Sequence, residues 1–182
     1  MEKFDINNIL RKNIKNIKPY SSARDEYSGK EGIFIDANEN SYGSVSDEQY
    51  NRYPDPLQID LKEKIVLVKR VTPEQIFLGN GSDEPIDLLF RAFCTPGKDN
   101  VIILPPTYGM YKVSADINDI ALQEIPLTSE FQLQTEKIIS AINDNTKIIF
   151  ICSPNNPTGN TIHRADIEKI IIDSLNLLRK NY

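Results

Sequence analysis

Three short loops hold the residues whose types and spacing could bind a ligand. The first is Gly79-Asn80-Gly81-Ser82-Asp83-Glu84, which lies between a segment of strand type and the start of a helix. Unpaired backbone N–H groups and the positive end of a helix dipole favour a phosphate there, and the glycines let the backbone approach a ligand closely. The string is neither a Walker A loop nor Gly-x-Gly-x-x-Gly, because no Gly-Lys-Ser/Thr follows and Glu84 stands in the last place. Phosphate binding and simple capping of a helix by Ser82 both stay open.

The second and third loops contain prolines that restrict the residues around them. In Pro105-Pro106-Thr107-Tyr108-Gly109-Met110-Tyr111, two consecutive prolines precede Tyr108, whose ring could present its face to a flat ligand. A proline-rich turn with core aromatics would explain the same string. In Ser153-Pro154-Asn155-Asn156-Pro157-Thr158-Gly159, the X-Pro bonds predict a rigid loop that could contain a cis peptide and aim an Asn at a ligand oxygen. A plain turn is the alternative for this loop taken alone.

These loops need a scaffold, and from Leu57 onward the sequence alternates between helical and strand patterns. Helical periodicity predicts helices within 57–68, 82–93, 108–115, 135–142 and 166–178. Short apolar runs predict strands at 33–35, 76–78, 101–104, 121–125 and 147–152, and the last of these is predicted to be buried on both faces. Strands separated by helices of this length predict an α/β fold with a largely parallel sheet. Ligands bind at the carboxyl ends of such strands, which is where the three loops lie.

Composition and net charge exclude several classes of protein. The chain has 182 residues, of which 40% are hydrophobic and 26% charged, as in a soluble globular protein. Its 21 basic and 26 acidic residues give a net charge of −5, so nucleic acid is not an expected partner. The sequence has neither an apolar run of membrane-spanning length nor a secretory signal, and we expect a cytoplasmic protein. Cys94 and Cys152 are expected in the core, His163 on the surface near a helix start, and no metal-ligand spacing is present.

Several strings occur together in the order found in one enzyme family. They are Lys18-Pro19-Tyr20, Asp36-Ala37-Asn38-Glu39-Asn40, Asn51-Arg52-Tyr53-Pro54, Arg91-Ala92-Phe93-Cys94 with Pro96-Gly97, and the three loops described above. From about residue 13 to about residue 169, the chain resembles the histidinol-phosphate aminotransferases, fold-type I enzymes that use pyridoxal 5′-phosphate. The resemblance implies a three-layer αβα large domain with a mostly parallel sheet. It also implies an N-terminal arm over 1–32, which includes a short amphipathic segment, and a partial large domain over 33–182.

The resemblance also assigns roles to individual residues. The turn of Gly81, Ser82 and Asp83 would hold the cofactor phosphate, chiefly through the N–H groups of Ser82 and Asp83. The other cofactor contacts would come from Tyr108 stacking on the pyridine ring, Asn156 donating to the ring hydroxyl oxygen, and Tyr53 reaching the phosphate of the other subunit in a homodimer. Tyr20 would lie on the substrate side, or would only anchor the arm.

The family exchanges an amino group between L-histidinol phosphate and 2-oxoglutarate, giving imidazole-acetol phosphate and L-glutamate. This reaction needs a Schiff-base Lys, which the family keeps directly after a Ser, and no Ser-Lys pair occurs in this sequence. The family's pyridine-binding Asp and substrate-binding Arg are also missing, so no catalytic residue is assigned. We expect a frameshift or early stop near residue 172, together with exposed apolar surface and poor solubility.

Two other functions remain open at this point. The first is a non-catalytic remnant that binds phosphate weakly or dimerises with an intact homologue. The second is a related enzyme with another substrate, such as an aromatic aminotransferase or a phosphothreonine decarboxylase.

Overall fold

The computed structural model describes residues 5–21, 32–33 and 35–180. The described residues form two compact units, which are treated separately below. One unit contains the residues up to Asn16 and those from Asn80 onward, and the other runs from Ile17 to Gly79. The division into an arm over 1–32 and a large domain from 33 stays a prediction.

The larger unit is built on three parallel strands. They are β1 (Asn100–Ile103), β2 (Ala121–Glu124) and β3 (Thr146–Ile149), in the order β2-β1-β3. Both pairings start from β1, because Asn100 lies opposite Ala121 on one side and Thr146 on the other. The α-helices of the described residues are α1 (Lys12–Lys15), α2 (Ile59–Lys69), α3 (Asp83–Phe93), α4 (Met110–Ile117), α5 (Thr135–Ala141) and α6 (Arg164–Lys180). Of these, only α2 lies in the smaller unit.

Strand β1 separates two hydrophobic cores because successive side chains of a strand point to opposite faces. Val101 and Ile103 belong to the first core, which also takes buried residues from α3 and α4. Ile102 belongs to the second, together with buried residues from α5 and α6. The larger unit therefore has three layers, with α3 and α4 on one face of the sheet and α5 and α6 on the other. This arrangement confirms the predicted αβα class with a parallel sheet.

All five helices predicted from residue 57 onward and the three later strands are confirmed, with ends shifted by a few residues. The helix predicted from 108 begins at Met110, and the helix predicted from 166 begins at Arg164. Strand β3 is shorter than predicted and is only half-buried, because it lies at the side of the sheet with β1 in the centre. An apolar run indicates burial but does not give the order of strands in the sheet.

The strand predicted at 76–78 is wrong. A 3₁₀ turn, Pro73–Gln75, comes directly before it, and the backbone N–H of Ile76 donates to the carbonyl of Pro73 (3.1 Å) rather than to a neighbouring strand. The side chain of Phe77 is 60% exposed. Of the strand predicted at 33–35, Ile33 and Ile35 are exposed and in no strand, while residue 34 lies outside the described residues.

Several surface properties bear on the other predictions. In place of one amphipathic segment, the described part of the arm has a 3₁₀ turn, Ile6–Asn8, and the four-residue helix α1. Exposed apolar side chains occur on α6 at Ile171 and Ile172. Both cysteines are free, and His163 is exposed immediately before α6, as predicted. Within 5–21, 32–33 and 35–180, no helix has the length and apolarity needed to span a membrane.

Candidate functional site

The first loop brings a tight turn to the start of α3. Gly81 has a φ of +76°, a left-handed conformation that favours glycine, and Ser82 occupies the N-cap position. The hydroxyl of Ser82 makes no capping hydrogen bond to α3, although the sequence allowed that role. The backbone N–H groups of Ser82 and Asp83 lie where a helix leaves its donors without intrahelical acceptors, and where its dipole favours an anion.

Two acidic side chains share this first turn, and both are held by hydrogen bonds. Glu84 accepts a hydrogen bond from the backbone N–H of Asn80 (2.6 Å to Oε2), which ties the loop to the helix. Asp83 accepts one from the hydroxyl of Tyr108 (2.8 Å to Oδ1). Each carboxylate therefore has a defined partner and a fixed direction, in addition to its favourable place at the positive end of the helix dipole.

The ring of Tyr108 is fixed at its hydroxyl and by its neighbour. Its hydrogen bond to the Asp83 carboxylate raises the pKa of Tyr108, because the charged acceptor favours the protonated phenol. Tyr111 packs against the ring edge to face, with centroids 5.7 Å apart. Tyr111 in turn stacks on Phe150 of the first core at 4.4 Å. Tyr108 is thus a neutral, oriented aromatic ring beside the start of α3.

The third loop contains two neighbouring asparagines with different surroundings. Asn155 is buried, and its side chain contacts the second loop through the carbonyl of Pro106 and the hydroxyl of Thr107. Asn156 is exposed. The peptide bonds Pro105-Pro106, Ser153-Pro154 and Asn156-Pro157 are cis, which confirms the cis geometry considered for the third loop.

The structure thus joins the three loops by side-chain hydrogen bonds. The Tyr108–Asp83 bond connects the second loop to the first, and the bonds of Asn155 connect the second loop to the third. Gly81, Ser82, Asp83, Tyr108 and Asn156 all lie on these loops. Oriented N–H donors, an aromatic ring and an exposed amide form a set of groups that suits a planar ligand with a phosphate.

In the smaller unit, two of the strings noted in the sequence are joined through Glu39. Its carboxylate accepts hydrogen bonds from the guanidinium of Arg52 (2.7 Å) and from the backbone N–H of Tyr53 (2.7 Å). The amide of Asn51 also donates to the carbonyl of Asn40 (2.9 Å). These bonds fix the backbone at Tyr53, whose side chain is 60% exposed.

Tyr20 belongs to the same smaller unit and is 90% exposed. The roles of Tyr53 and Tyr20 stay predictions.

Sequence reasoning missed two residues that hold these segments: Glu39 in the smaller unit, and Asn155 between the second and third loops. Glu39 could have been found from the pairing of an acid in one string with Arg52 in another. Asn155 gave no such signal. The sequence does not distinguish two adjacent asparagines in a proline-rich loop, and only the structure shows that Asn155 is buried.

Three parallel strands between two helical layers, with the second loop following the carboxyl end of β1 and the third following that of β3, define an aspartate-aminotransferase-like fold. The aspartate aminotransferase of Thermus thermophilus with maleate superposes with a TM-score of 0.60 at 28% identity, over 64% of this chain and 32% of that one. The N-succinyldiaminopimelate aminotransferase of Mycobacterium tuberculosis gives 0.62 at 25% identity, over 68% and 35%. The model of the family Aminotransferase class I and II matches residues 25–178, and the chain belongs to that family.

Curated relatives show which members of the family this chain is similar to in sequence, and they support the resemblance inferred from the sequence strings. The histidinol-phosphate aminotransferase of Cytophaga hutchinsonii is 61% identical over 92% of this chain and 48% of its own length. The protein of the same name from Bacteroides fragilis is 54% identical over 91% and 47%. The chain spans about half the length of these relatives. The family and its structural neighbours depend in general on pyridoxal 5′-phosphate.

Proposed function

We propose that this chain carries the cofactor-binding residues of a histidinol-phosphate aminotransferase. The proposed reaction moves an amino group between L-histidinol phosphate and 2-oxoglutarate, giving imidazole-acetol phosphate and L-glutamate. The observation that carries the proposal is the 61% identity to a relative of that name over 92% of the chain. Because such relatives are about twice as long, the activity is proposed for a protein that also includes the counterpart of their remaining residues.

The residues of the first loop fit the phosphate of pyridoxal 5′-phosphate. The N–H groups of Ser82 and Asp83 would donate to it at the start of α3, and the positive φ of Gly81 forms the turn that presents them. The carboxylate of Asp83 is directed to the hydroxyl of Tyr108, and that of Glu84 to Asn80. These hydrogen bonds to neutral donors fix the direction of both carboxylates, which keep their negative charge.

The other two loops supply contacts for the pyridine ring. Tyr108 would stack on it, and the raised pKa of Tyr108 keeps the phenol neutral, so that its role is orientation rather than proton transfer. The exposed amide of Asn156 would donate to the ring hydroxyl oxygen. When bound, the cofactor supplies an electron sink for the substrate's reacting carbon. The lysine that moves the proton in this family follows a Ser, and this sequence holds no Ser-Lys pair.

The remaining assignments concern assembly and location. We propose that Tyr53, held by Glu39, reaches the cofactor phosphate of the second subunit in a homodimer. Tyr20 is proposed on the substrate side. We further propose a cytoplasmic enzyme of histidine biosynthesis.

Two measurements test the proposal separately. First, the 182-residue chain is titrated with pyridoxal 5′-phosphate in equilibrium dialysis. We expect saturable binding that inorganic phosphate competes away and that Tyr108→Ala and Asn156→Ala weaken. Borohydride reduction should attach the ligand to no single lysine. Binding that phosphate does not displace, or one reproducibly modified lysine, would contradict the site.

The second measurement addresses the substrate. A protein extended by the counterpart of the relatives' remaining residues is assayed with L-histidinol phosphate and with phenylalanine, using 2-oxoglutarate as acceptor. Preference for histidinol phosphate is expected. Preference for phenylalanine would favour the hypothesis of an aromatic aminotransferase. The absence of any amino-group transfer would favour a non-catalytic phosphate binder.

A further inference from the structure

Asn155 is a polar residue with only 4% of its surface exposed, and its side chain makes three hydrogen bonds. Its amide nitrogen donates to the carbonyl of Pro106 (2.9 Å) and to the hydroxyl of Thr158 (2.7 Å). Its amide oxygen accepts from the hydroxyl of Thr107 (3.2 Å). Both N–H groups and the oxygen are therefore used, as expected for a buried amide.

The network continues on the third loop itself. The hydroxyl of Thr158, having accepted from Asn155, donates to the side-chain oxygen of Asn160. The backbone of Asn155 donates to the carbonyl of Asn160 (2.8 Å) and accepts from the N–H of Gly159 (2.7 Å). The backbone around Asn155 therefore has a defined shape, from which its side chain extends to the second loop.

The partners of Asn155 lie directly beside both proposed ring contacts. Pro106 and Thr107 immediately precede Tyr108, and Asn156 is the next residue after Asn155. The two loops are 48 to 49 residues apart in sequence, and the described side-chain hydrogen bonds between them are those of Asn155 to Pro106 and Thr107. A movement of Asn155 would therefore disturb Tyr108 and Asn156 together.

We infer that Asn155 is a positioning residue that couples the loop of Tyr108 to the loop of Asn156. Its consequence for the cofactor rests on the proposed function, whereas the coupling itself is a property of the chain. The amide is the required group, because it donates twice and accepts once within one planar side chain. An aspartate of the same shape would lose both donors and bury a charge.

The test replaces Asn155 and compares it with a matched asparagine elsewhere. Asn118 is the C-cap residue of α4 and also donates two hydrogen bonds through its amide, to Asp87 (2.8 Å) and to the carbonyl of Ser114 (2.9 Å). Asn155→Ala and Asn118→Ala thus remove the same group and the same number of donated bonds. Only the first change touches the two loops.

Amide hydrogen exchange, measured by NMR without any ligand, gives a readout on each loop. The N–H of Leu127 donates to the carbonyl of Pro105 (2.7 Å) and reports on the second loop, and the N–H of Gly159 reports on the third. We expect Asn155→Ala to accelerate exchange at both amides about tenfold, which corresponds to about 1.4 kcal/mol and is in the range expected when hydrogen bonds that hold a loop are lost. Asn118→Ala should leave both rates within about threefold of the unaltered chain.

A milder variant covers the case in which Asn155→Ala does not fold. Thr107→Val keeps the shape of the side chain and removes only its hydrogen bond to Asn155. It should accelerate exchange at Leu127 in the same direction and by a smaller factor. The inference is overturned if Asn155→Ala affects Gly159 alone, if Asn118→Ala has an equal effect, or if Thr107→Val leaves Leu127 unchanged.

A binding measurement separates this inference from the proposed function. We expect Asn155→Ala to weaken binding of pyridoxal 5′-phosphate about tenfold through lost preorganisation, and Asn118→Ala to leave it unchanged. If the unaltered chain binds no cofactor, the proposed function fails and the exchange rates still decide the coupling. If the chain binds and Asn155→Ala binds equally well, the positioning role fails while the proposed function stands.

Discussion

Replacing Gly81 by alanine tests whether the first loop depends on its backbone conformation. A Cβ added at Gly81 would meet no atom within 4 Å, so the substitution creates no steric clash with the rest of the described chain. The φ of +76° is the only obstacle, because an L-residue is strained there by about 1–2 kcal/mol. We therefore expect Gly81→Ala to lower the free energy of unfolding by about 1–2 kcal/mol.

Gly109 provides a matched control on the second loop. It has a φ of −64° at the N-cap of α4, and a Cβ there also meets nothing within 4 Å. Alanine adopts this conformation without strain, and its lower unfolded-state entropy offsets its weaker N-cap preference. The free energy of unfolding of Gly109→Ala should therefore stay within about 0.5 kcal/mol of the unaltered chain.

Urea unfolding followed by far-UV circular dichroism measures both variants, with the denaturant slope as a check that the unfolded states are comparable. A Gly81→Ala variant as stable as Gly109→Ala would refute the reasoning from backbone strain. Dialysis with inorganic phosphate then tests the role of the loop. Relief of the strain at residue 81 would redirect the N–H groups of Ser82 and Asp83, so phosphate affinity should fall in Gly81→Ala only.

Three further predictions concern the core and its titratable groups. Phe90→Ala should lower the free energy of unfolding by about 3–5 kcal/mol, because Phe90 is fully buried. As a control, Leu89→Ala on the exposed side of α3 should lower the same free energy by well under half of that amount in the same urea experiment. Burial raises the pKa of Tyr111 from its usual value near 10 to about 12, so this phenol stabilises the fold below pH 10, and that stability is lost as the pH rises through 12. Tyr111→Phe should therefore reduce the fall in the free energy of unfolding that the unaltered chain shows at alkaline pH. An unchanged dependence of this free energy on pH would contradict the assignment. Burial also raises the pKa of the Cys94 thiol to about 11. A thiol-specific reagent at pH 8 should therefore label at most the half-buried Cys152 in the native chain and should react with Cys94 only in urea. Rapid labelling of Cys94 in the native chain would show that the first core opens there.

The alternation of helices and strands was readable from the sequence because each element shows its periodicity over several residues. Helix α3 illustrates this, since its apolar residues recur at helical spacing and its acidic first turn marks its start. The run at 76–78 was misread because three apolar residues show strand character without showing a pairing partner. Strand existence is a property of two segments, and a single segment cannot report it.

The loops of the candidate site were predictable in location but not in their connections. The glycine turn can be placed before α3 because a helical pattern follows it, and the proline-rich loop can be placed at the carboxyl end of β3 from sequence order alone. The hydrogen bond from Tyr108 to Asp83 joins residues 25 positions apart, and its formation depends on how α3 and α4 pack together. Such long-range bonds follow from tertiary packing, which periodicity does not encode.

The central position of β1 has a consequence for synthesis on the ribosome. Both of its neighbours follow it in the chain, since Asn100 pairs with Ala121 and with Thr146. At a translation rate of about 5–20 residues per second, the partner that lies 46 residues later emerges about 2–9 seconds after β1. One edge of this strand therefore stays unpaired until β3 emerges, although the other edge can pair with β2 earlier. During that interval, the apolar segment at 101–104 has an unpaired edge, which is the kind of surface that makes a nascent chain prone to aggregation.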